Sequence, residues 1–258
     1  MRHPLLPSGK AIPKGEVFAL DRDLPCSKML MTLARFRGQS KKWTRWLTKS
    51  VSPRLTDFAV RRWRVSPATI LDSSVPFALS LTSGNVRDGI SLLLAEWMEY
   101  RRLDRKSTWR LVVQMNGLRS GRSSFEIVSP FWEQIQAIKR QLRVETSGIY
   151  LWISDEPSLE GILLDTAEAI INVSGERSDL IRLAQRKGKR VIAPQLAELE
   201  GYGFATRPAV IRFVGEVRNR ENASSAWPIC EPLALAHAIQ KATSRGNLLP
   251  VTCPRLAA

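Results

Sequence analysis

The sequence predicts an α/β protein with a Rossmann-like, doubly wound parallel sheet, preceded by a basic helical segment. The first observation is an apolar run at 169–173 that breaks at Ser174-Gly175, continues as a helix-like stretch and re-emerges as an apolar run at 190–193. Two short strands joined by a helix of about ten residues form a β-α-β unit with parallel strands. The second observation is that the same alternation extends from residue 76 to residue 245, which is typical of doubly wound sheets.

Each element follows from a local pattern. Apolar runs predict strands at residues 77–82, 109–115, 149–153, 169–173, 190–193 and 209–214. Helical spacing of apolar residues predicts helices at 88–101, 130–142, 156–164, 179–187 and 232–243. Ser129 is predicted to cap the helix that begins at Pro130, and Ser154 or Asp155 the helix that begins at 156. Gly188 is expected to end the helix at 179–187, because glycine adopts the left-handed cap without strain.

The chain before residue 76 has a different character. Residues 1–27 contain four prolines and are predicted to be an irregular lead-in. Residues 28–75 are predicted to be a basic helical segment, with one helix at 28–48 and a second at 54–63 that has Ser52 as cap and Pro53 in its first turn. Residues 76–245 form the predicted Rossmann-like domain, and residues 246–258 a loose tail.

The positive charge is concentrated in this N-terminal part. The whole chain carries a net charge of +15, and residues 1–76 hold 15 Lys and Arg against 5 Asp and Glu. Trp43, Trp46 and Trp63 are interleaved with these cations. Three interpretations are open, in decreasing order of preference: a solvated helix pair whose tryptophans pack on the main domain, a contact with an anionic membrane surface or phosphoglycan, and a contact with nucleic acid.

Several classes of protein are disfavoured by composition. The three cysteines are scattered and lack metal-ligand spacing, so we expect reduced thiols and no bound metal. Only two histidines are present, His3 and His237, which leaves little room for a histidine-based triad. No apolar run reaches the roughly 18 residues of a membrane helix, and the first residues do not resemble a signal peptide. We therefore expect a cytoplasmic protein, with peripheral association at the inner face of the membrane as a further hypothesis.

The turn after the strand at 169–173 is the first candidate binding site. Ligands of parallel sheets lie beyond the carboxyl ends of the strands, where the next helix begins. This turn contains Ser174, Gly175, Glu176 and Ser178. A helix start of this kind favours anions such as phosphate.

Four passages resemble the C-terminal, donor-binding half of GT-B retaining glycosyltransferases of the large group-1 family. They are KSVSPRL at 49–55 with RRWRVSPATI at 61–70, LTSGNVRDGI at 81–90, WRLVV at 109–113, and ISDE at 153–156 followed by GKRVIAP at 188–194. The resemblance covers about residues 48–245 and implies a GT-B donor domain that binds a nucleotide-diphosphate sugar without a metal. It adds Gly84, Asn85 and Arg87 to the donor-binding residues.

The sequence also departs from the family pattern. Where the family has an arginine and a lysine for the donor pyrophosphate, this chain has Asn85 and Asp88, with Arg87 one step away. Where the family has a pair of acidic residues, this chain has Gly175 and Leu183, with Glu176 beside the first. The resemblance therefore suggests Arg87 and Lys189 near phosphate and Glu176 near the sugar. It leaves the catalytic residues unassigned.

Three functional hypotheses follow. The first is a divergent or truncated hexosyltransferase that works with a partner chain supplying an acceptor domain, because some 75 residues before the donor domain are too few for one. The second is a non-catalytic scaffold or binding subunit with the same fold. This subunit would bind a partner, an anionic membrane surface or nucleic acid through its basic segment. The third is a different Rossmann-like nucleotide-binding protein, since fold alone does not give function.

Overall fold

A computed structural model describes residues 15–22, 53–71, 74–82, 89–115, 123–173, 178–194, 202–204 and 233–244. The strands are β1 (Glu16–Ala19), β2 (Arg64–Val65), β3 (Phe77–Thr82), β4 (Arg110–Met115), β5 (Ile149–Ile153), β6 (Ala169–Ile171), β7 (Arg190–Pro194) and β8 (Tyr202–Phe204). The helices are α1 (Pro53–Trp63), α2 (Pro67–Leu71), α3 (Ile90–Leu103), α4 (Ser124–Leu142), α5 (Pro157–Thr166), α6 (Ser178–Arg186) and α7 (Ala234–Thr243).

The described strands form one mixed sheet in the order β2-β1-β5-β4-β3-β6-β7-β8. Strands β3 to β8 are parallel to one another, and β1 is antiparallel to both β5 and β2. From β5 to β8 the order is that of a Rossmann doubly wound sheet, in which the first strand lies at the centre and the chain winds outward in both directions. The predicted fold class is confirmed.

Helices cover both faces of the sheet. One apolar core joins residues of α1, α3, α4 and α7 to one face, and a second core joins residues of α2, α5 and α6 to the other. The strands in the centre are buried at all but one position each; β3 and β4, for example, read FALSLT and RLVVQM. Such largely apolar strands are expected where helices exclude water from both faces of a parallel sheet.

Strands β3 and β5 have the predicted bounds, whereas α4 begins earlier than predicted. Ser123, not Ser129, caps α4, and Pro130 lies inside the helix. The Ser123 side chain accepts a hydrogen bond from the Glu126 backbone, and the Glu126 carboxylate accepts one from the Ser123 backbone. This capping box stabilises the first turn of α4, which lies before the predicted helix start at Pro130.

The cap of α5 also differs from the prediction. The N-cap residue is Glu156, with Pro157 at the start of the helix, and neither Ser154 nor Asp155 occupies that position. The Ser154 hydroxyl instead accepts a hydrogen bond of 3.1 Å from the Glu156 backbone N–H, just outside the helix. Gly188 follows the end of α6 as predicted, and its φ of 68° lies in the left-handed region.

The prediction of an irregular lead-in over residues 1–27 is wrong for β1. Glu16–Ala19 pairs with β5 along its whole length and is buried between β5 and β2. The chain after β1 is fastened by Asp21, whose carboxylate accepts the backbone N–H groups of Ser147 and Gly148. A strand this short owes its conformation to these distant partners, because four residues carry little local signal.

Helix α1 confirms the predicted helix at 54–63 and settles the position of one tryptophan. Trp63 is fully buried, and its ring centroid lies 5.9 Å from that of Phe125 and 5.5 Å from that of Trp132. Trp63 therefore packs on the main domain and does not face an external surface. Trp43, Trp46 and the predicted helix at 28–48 lie outside the described residues.

The other edge of the sheet contains a strand that the sequence analysis missed. Tyr202–Phe204 pairs in parallel with β7, whereas the predicted strand at 209–214 lies outside the described residues, as does the predicted tail. Within the described part of the chain, the helices are all too short or too polar to cross a membrane.

Candidate functional site

The strand order creates one topological switch point. From β3 the chain winds outward through β4 and β5, and it later returns to the other side of β3 as β6. In open α/β sheets a crevice forms beyond the carboxyl ends of the two strands at such a point, because the helices that follow them lie on opposite faces. The carboxyl ends of β3 and β6 are therefore the geometric candidate for a ligand site.

The predicted site residues follow these two strands directly in sequence. Gly84, Asn85 and Arg87 come after β3, and Ser174, Gly175 and Glu176 come after β6, but all six lie outside the described residues. Ser178 is the first residue of α6. The six assignments remain predictions about residues whose leading strands are neighbours.

The register shows how close the two segments begin. Ala78 pairs with Ala169, and Leu79 with Ile170. Extending this register places Thr82, the last residue of β3, level with Val173. Neighbouring strands lie about 4.8 Å apart, so the two predicted segments leave the sheet side by side. No local pattern in the sequence shows that these two segments follow neighbouring strands.

The start of α3 adds an electrostatic feature to this edge. Its N-cap residue is Gly89, with a φ of 67°, and no side-chain hydrogen bond caps the helix. Helix N-termini carry partial positive charge and unsatisfied backbone N–H groups. The helix is held in place by Ser91, whose hydroxyl donates a 2.9 Å hydrogen bond to Gln134 of α4. The positive end of α3 thus lies at the same edge as the predicted site.

A row of buried polar residues marks the carboxyl ends of four consecutive strands. They are Thr82 on β3, Gln114 on β4, Ser154 after β5 and Asn172 after β6. The sequence analysis did not select Thr82, Gln114 or Asn172 as site residues. Their signal was a polar side chain at the end of an otherwise apolar strand, which is weak alone and becomes informative once the strands are aligned.

Lys189 is excluded from this edge of the sheet. It directly precedes β7 and therefore lies at the amino end of that strand, and its ammonium donates a 2.6 Å hydrogen bond to the backbone carbonyl of Asp165. The expectation that Lys189 approaches a donor phosphate is wrong, because sequence proximity to the predicted turn does not reveal which end of the strand a residue occupies. Leu183, at the position of a family acid, is an exposed residue of α6.

The two ionisable groups with clear pKa shifts have structural roles. Burial raises the pKa of Glu96, although its carboxylate accepts a 3.0 Å hydrogen bond from the Ala236 N–H at the start of α7. Burial also raises the pKa of Tyr100, whose hydroxyl hydrogen-bonds to that of Ser107. Glu96 caps α7 from α3, so its shifted pKa is explained without a catalytic role.

Metal ligands were also sought around the site. Among the described residues, no group of three or more His, Cys, Asp or Glu side chains is arranged to hold a metal ion.

No protein-family model and no curated protein matches this sequence. Several solved structures match part of this chain. A UDP-forming α,α-trehalose-phosphate synthase from Burkholderia xenovorans matches with a TM-score of 0.47 and 11% identity, over 70% of this chain and 40% of that one. A glycosyltransferase from Rickettsia africae matches with a TM-score of 0.37 and 16% identity, over 76% and 49%.

A third match is a sucrose-phosphate synthase from Thermosynechococcus elongatus, with a TM-score of 0.37 and 14% identity over 68% of this chain and 42% of that one. This chain spans less than half of the length of these three proteins. One of these three proteins is named as a glycosyltransferase, the class of protein that the sequence motifs resemble.

Proposed function

We propose that this protein binds a nucleotide-diphosphate sugar in the crevice between the carboxyl ends of β3 and β6. The observation that carries the proposal is the strand order, which makes β3 and β6 hydrogen-bonded neighbours. Each of these strands leads directly into a glycine-containing segment with hydroxyl or cationic residues. Glycine permits close approach of the backbone to a phosphate, and helix starts supply N–H donors.

In this proposal each predicted residue has a role that suits its chemistry. Arg87 binds the diphosphate, because a guanidinium presents several donors to phosphate oxygens. Ser174 and Ser178 donate hydroxyl hydrogen bonds at the start of α6, and Glu176 accepts hydrogen bonds from sugar hydroxyls. Gly84 and Asn85, which follow β3 in the sequence, contact the diphosphate beside Arg87. The uncapped positive end of α3 adds favourable potential for the diphosphate.

Sugar transfer with retention is the further step of the proposal. It requires stabilisation of the charge that develops on the departing diphosphate and an acceptor held against the anomeric carbon. Arg87 and the start of α3 would provide the first. A partner chain or another part of the protein would provide the acceptor site, since the described residues make up a single sheet with its covering helices.

A non-catalytic binding subunit is the second candidate, and one observation favours it. At the position of a family acid the chain has Leu183, whose side chain is exposed on α6. An exposed leucine supplies no charge to orient a sugar. This candidate predicts a protein with the same fold and no nucleotide affinity.

Calorimetric titration with UDP, GDP and ADP tests the proposal. We expect saturable binding of one nucleotide by the wild-type chain, about tenfold to a hundredfold weaker in Arg87→Ala because a charged hydrogen bond is worth about 1.5–3 kcal/mol. Gly175→Trp should abolish binding by filling the crevice.

The matched control is Arg105→Ala, which removes an exposed arginine from the turn after α3, at the opposite edge of the sheet. Its nucleotide affinity should equal that of the wild type. Absence of binding to all three nucleotides would overturn the donor site and leave the binding-subunit candidate. An equal loss in Arg87→Ala and Arg105→Ala would reduce the effect to net charge.

A further inference from the structure

The two ends of the parallel strands carry different charge; we call the end where the strands finish the carboxyl edge and the end where they begin the amino edge. At the carboxyl edge, Glu126 lies in the first turn of α4, and Asp155 and Glu156 lie between β5 and α5. At the amino edge, the ends of α3 and α4 and the turns after them contain six cations and three carboxylates within residues 99–107 and 140–146. The amino edge is therefore cationic and the described carboxyl edge is acidic near β5.

Direct contacts join these two helix ends into one surface. The Arg101 guanidinium donates to the Ser107 carbonyl and, over 3.3 Å, to the Thr146 hydroxyl. The indole N–H of Trp97 donates a 2.7 Å hydrogen bond to the Ser147 carbonyl. Ser107 lies three residues before β4 and Ser147 two residues before β5, so both helix ends lie beside the amino ends of neighbouring strands.

Arg101 is a buried cation that forms no ion pair among the described residues. In the part of the chain that the structure describes, the Arg101 Nε atom has no hydrogen-bond partner, and its guanidinium has no ion-pair partner. The next arginine, Arg102, pairs with Glu99. A buried cation without a counter-charge is costly, and an external anion near this surface would lower that cost.

Exposed side chains complete the surface. Arg105 and Lys106 are exposed in the turn after α3. Arg143 is exposed at the end of α4, where it adopts a φ of 54°, a conformation that glycine or asparagine adopts more easily. Leu103 is 37% exposed between these cations and is one of three large apolar residues that are exposed in the described chain.

We propose that this amino-edge surface, formed by Leu103, Arg105, Lys106 and Arg143, docks on an anionic phospholipid bilayer. Cations near an anionic leaflet gain about 1 kcal/mol each, and a leucine among them can enter the boundary between headgroups and acyl chains. Nucleic acid fits less well, because its phosphates would contact the cations and leave Leu103 exposed to water.

Vesicle sedimentation of the full chain provides the test. The vesicles are phosphatidylcholine alone or phosphatidylcholine with phosphatidylglycerol, at low and moderate salt. The variant Arg105→Gln/Lys106→Gln is compared with Arg182→Gln/Arg186→Gln, which removes two exposed cations from α6 on the other face of the sheet. Far-UV circular dichroism establishes that both variants are folded.

We expect binding only to vesicles that contain phosphatidylglycerol, weakened about 30-fold by the amino-edge variant, since two cations at about 1 kcal/mol each are lost. The α6 variant should bind within about twofold of wild type, and Leu103→Ser should lose most of the binding that survives moderate salt. Equal weakening by both double variants, or vesicle binding that the amino-edge variant leaves unchanged, would overturn the proposal. Binding to a nucleic-acid duplex in preference to anionic vesicles would also overturn it.

Discussion

Replacing Trp63 by alanine should separate two explanations of the tryptophans in the basic N-terminal part. Trp63 is fully buried against Phe125 and Trp132. Aromatic side chains bury about 150–250 Å², which at about 25 cal/mol per Å² corresponds to about 4–6 kcal/mol as an upper bound. We therefore expect Trp63→Ala to lower the free energy of unfolding by about 3–5 kcal/mol, as for other buried aromatic truncations.

Two further variants of helix α1 serve as comparisons for Trp63→Ala. The Trp63 indole N–H is buried without a hydrogen-bond partner among the described residues, so Trp63→Phe keeps the ring contacts, loses no hydrogen bond and should cost less than about 1.5 kcal/mol. Phe58 lies on the same helix and is 47% exposed. Its replacement by alanine should change the free energy of unfolding by less than about 1 kcal/mol.

Urea unfolding followed by far-UV circular dichroism measures all three variants, because this signal does not depend on the tryptophan being removed. The midpoint and slope together give the free energy of unfolding. If Trp63→Ala cost no more than Phe58→Ala, Trp63 would not be docked in the core. The packing explanation would then fail, and an outward-facing tryptophan would have to be reconsidered.

Two other predictions concern stability. Burial raises the pKa of Glu96 above its ordinary 4.5, so the folded protein binds this proton more tightly than the unfolded chain, and the contribution of Glu96 to stability falls as pH rises from about 4.5 through the folded pKa. Wild type should therefore lose stability relative to Glu96→Gln between pH 4 and pH 7 in urea unfolding, and a constant difference would contradict the assignment. Gly188→Ala should lower the free energy of unfolding by about 1 kcal/mol, because the φ of Gly188 is positive. Gly148→Ala should lower it further, since a Cβ there would lie 3.2 Å from the Trp109 carbonyl oxygen. Thermal unfolding of the two variants compares these losses, and equal losses would mean that the Trp109 carbonyl moves aside.

Local sequence signals were sufficient where one physical term dominated. Strands β3 and β5 have the bounds that the sequence predicts, because strands covered on both faces of a parallel sheet are largely apolar along their length. The start of α4 was misplaced although Ser123 and Glu126 form a capping box that is visible in the sequence. Proline is common at helix starts, but Pro130 lies inside α4. Burial of Ile127 and Val128 stabilises the turn before it.

The alternation of strands and helices, and with it the doubly wound class, can be predicted from the chain alone, since hydrophobic periodicity depends on each residue's own side chain and near neighbours. The position of β3 beside β6, and of Lys189 at the opposite edge from the predicted site, became known from the folded structure. The folded structure also shows that β1 completes the sheet beside β5. These facts depend on pairings between residues far apart in the chain, whose free energy appears only when distant apolar surfaces and backbone groups meet, so no local pattern contains them.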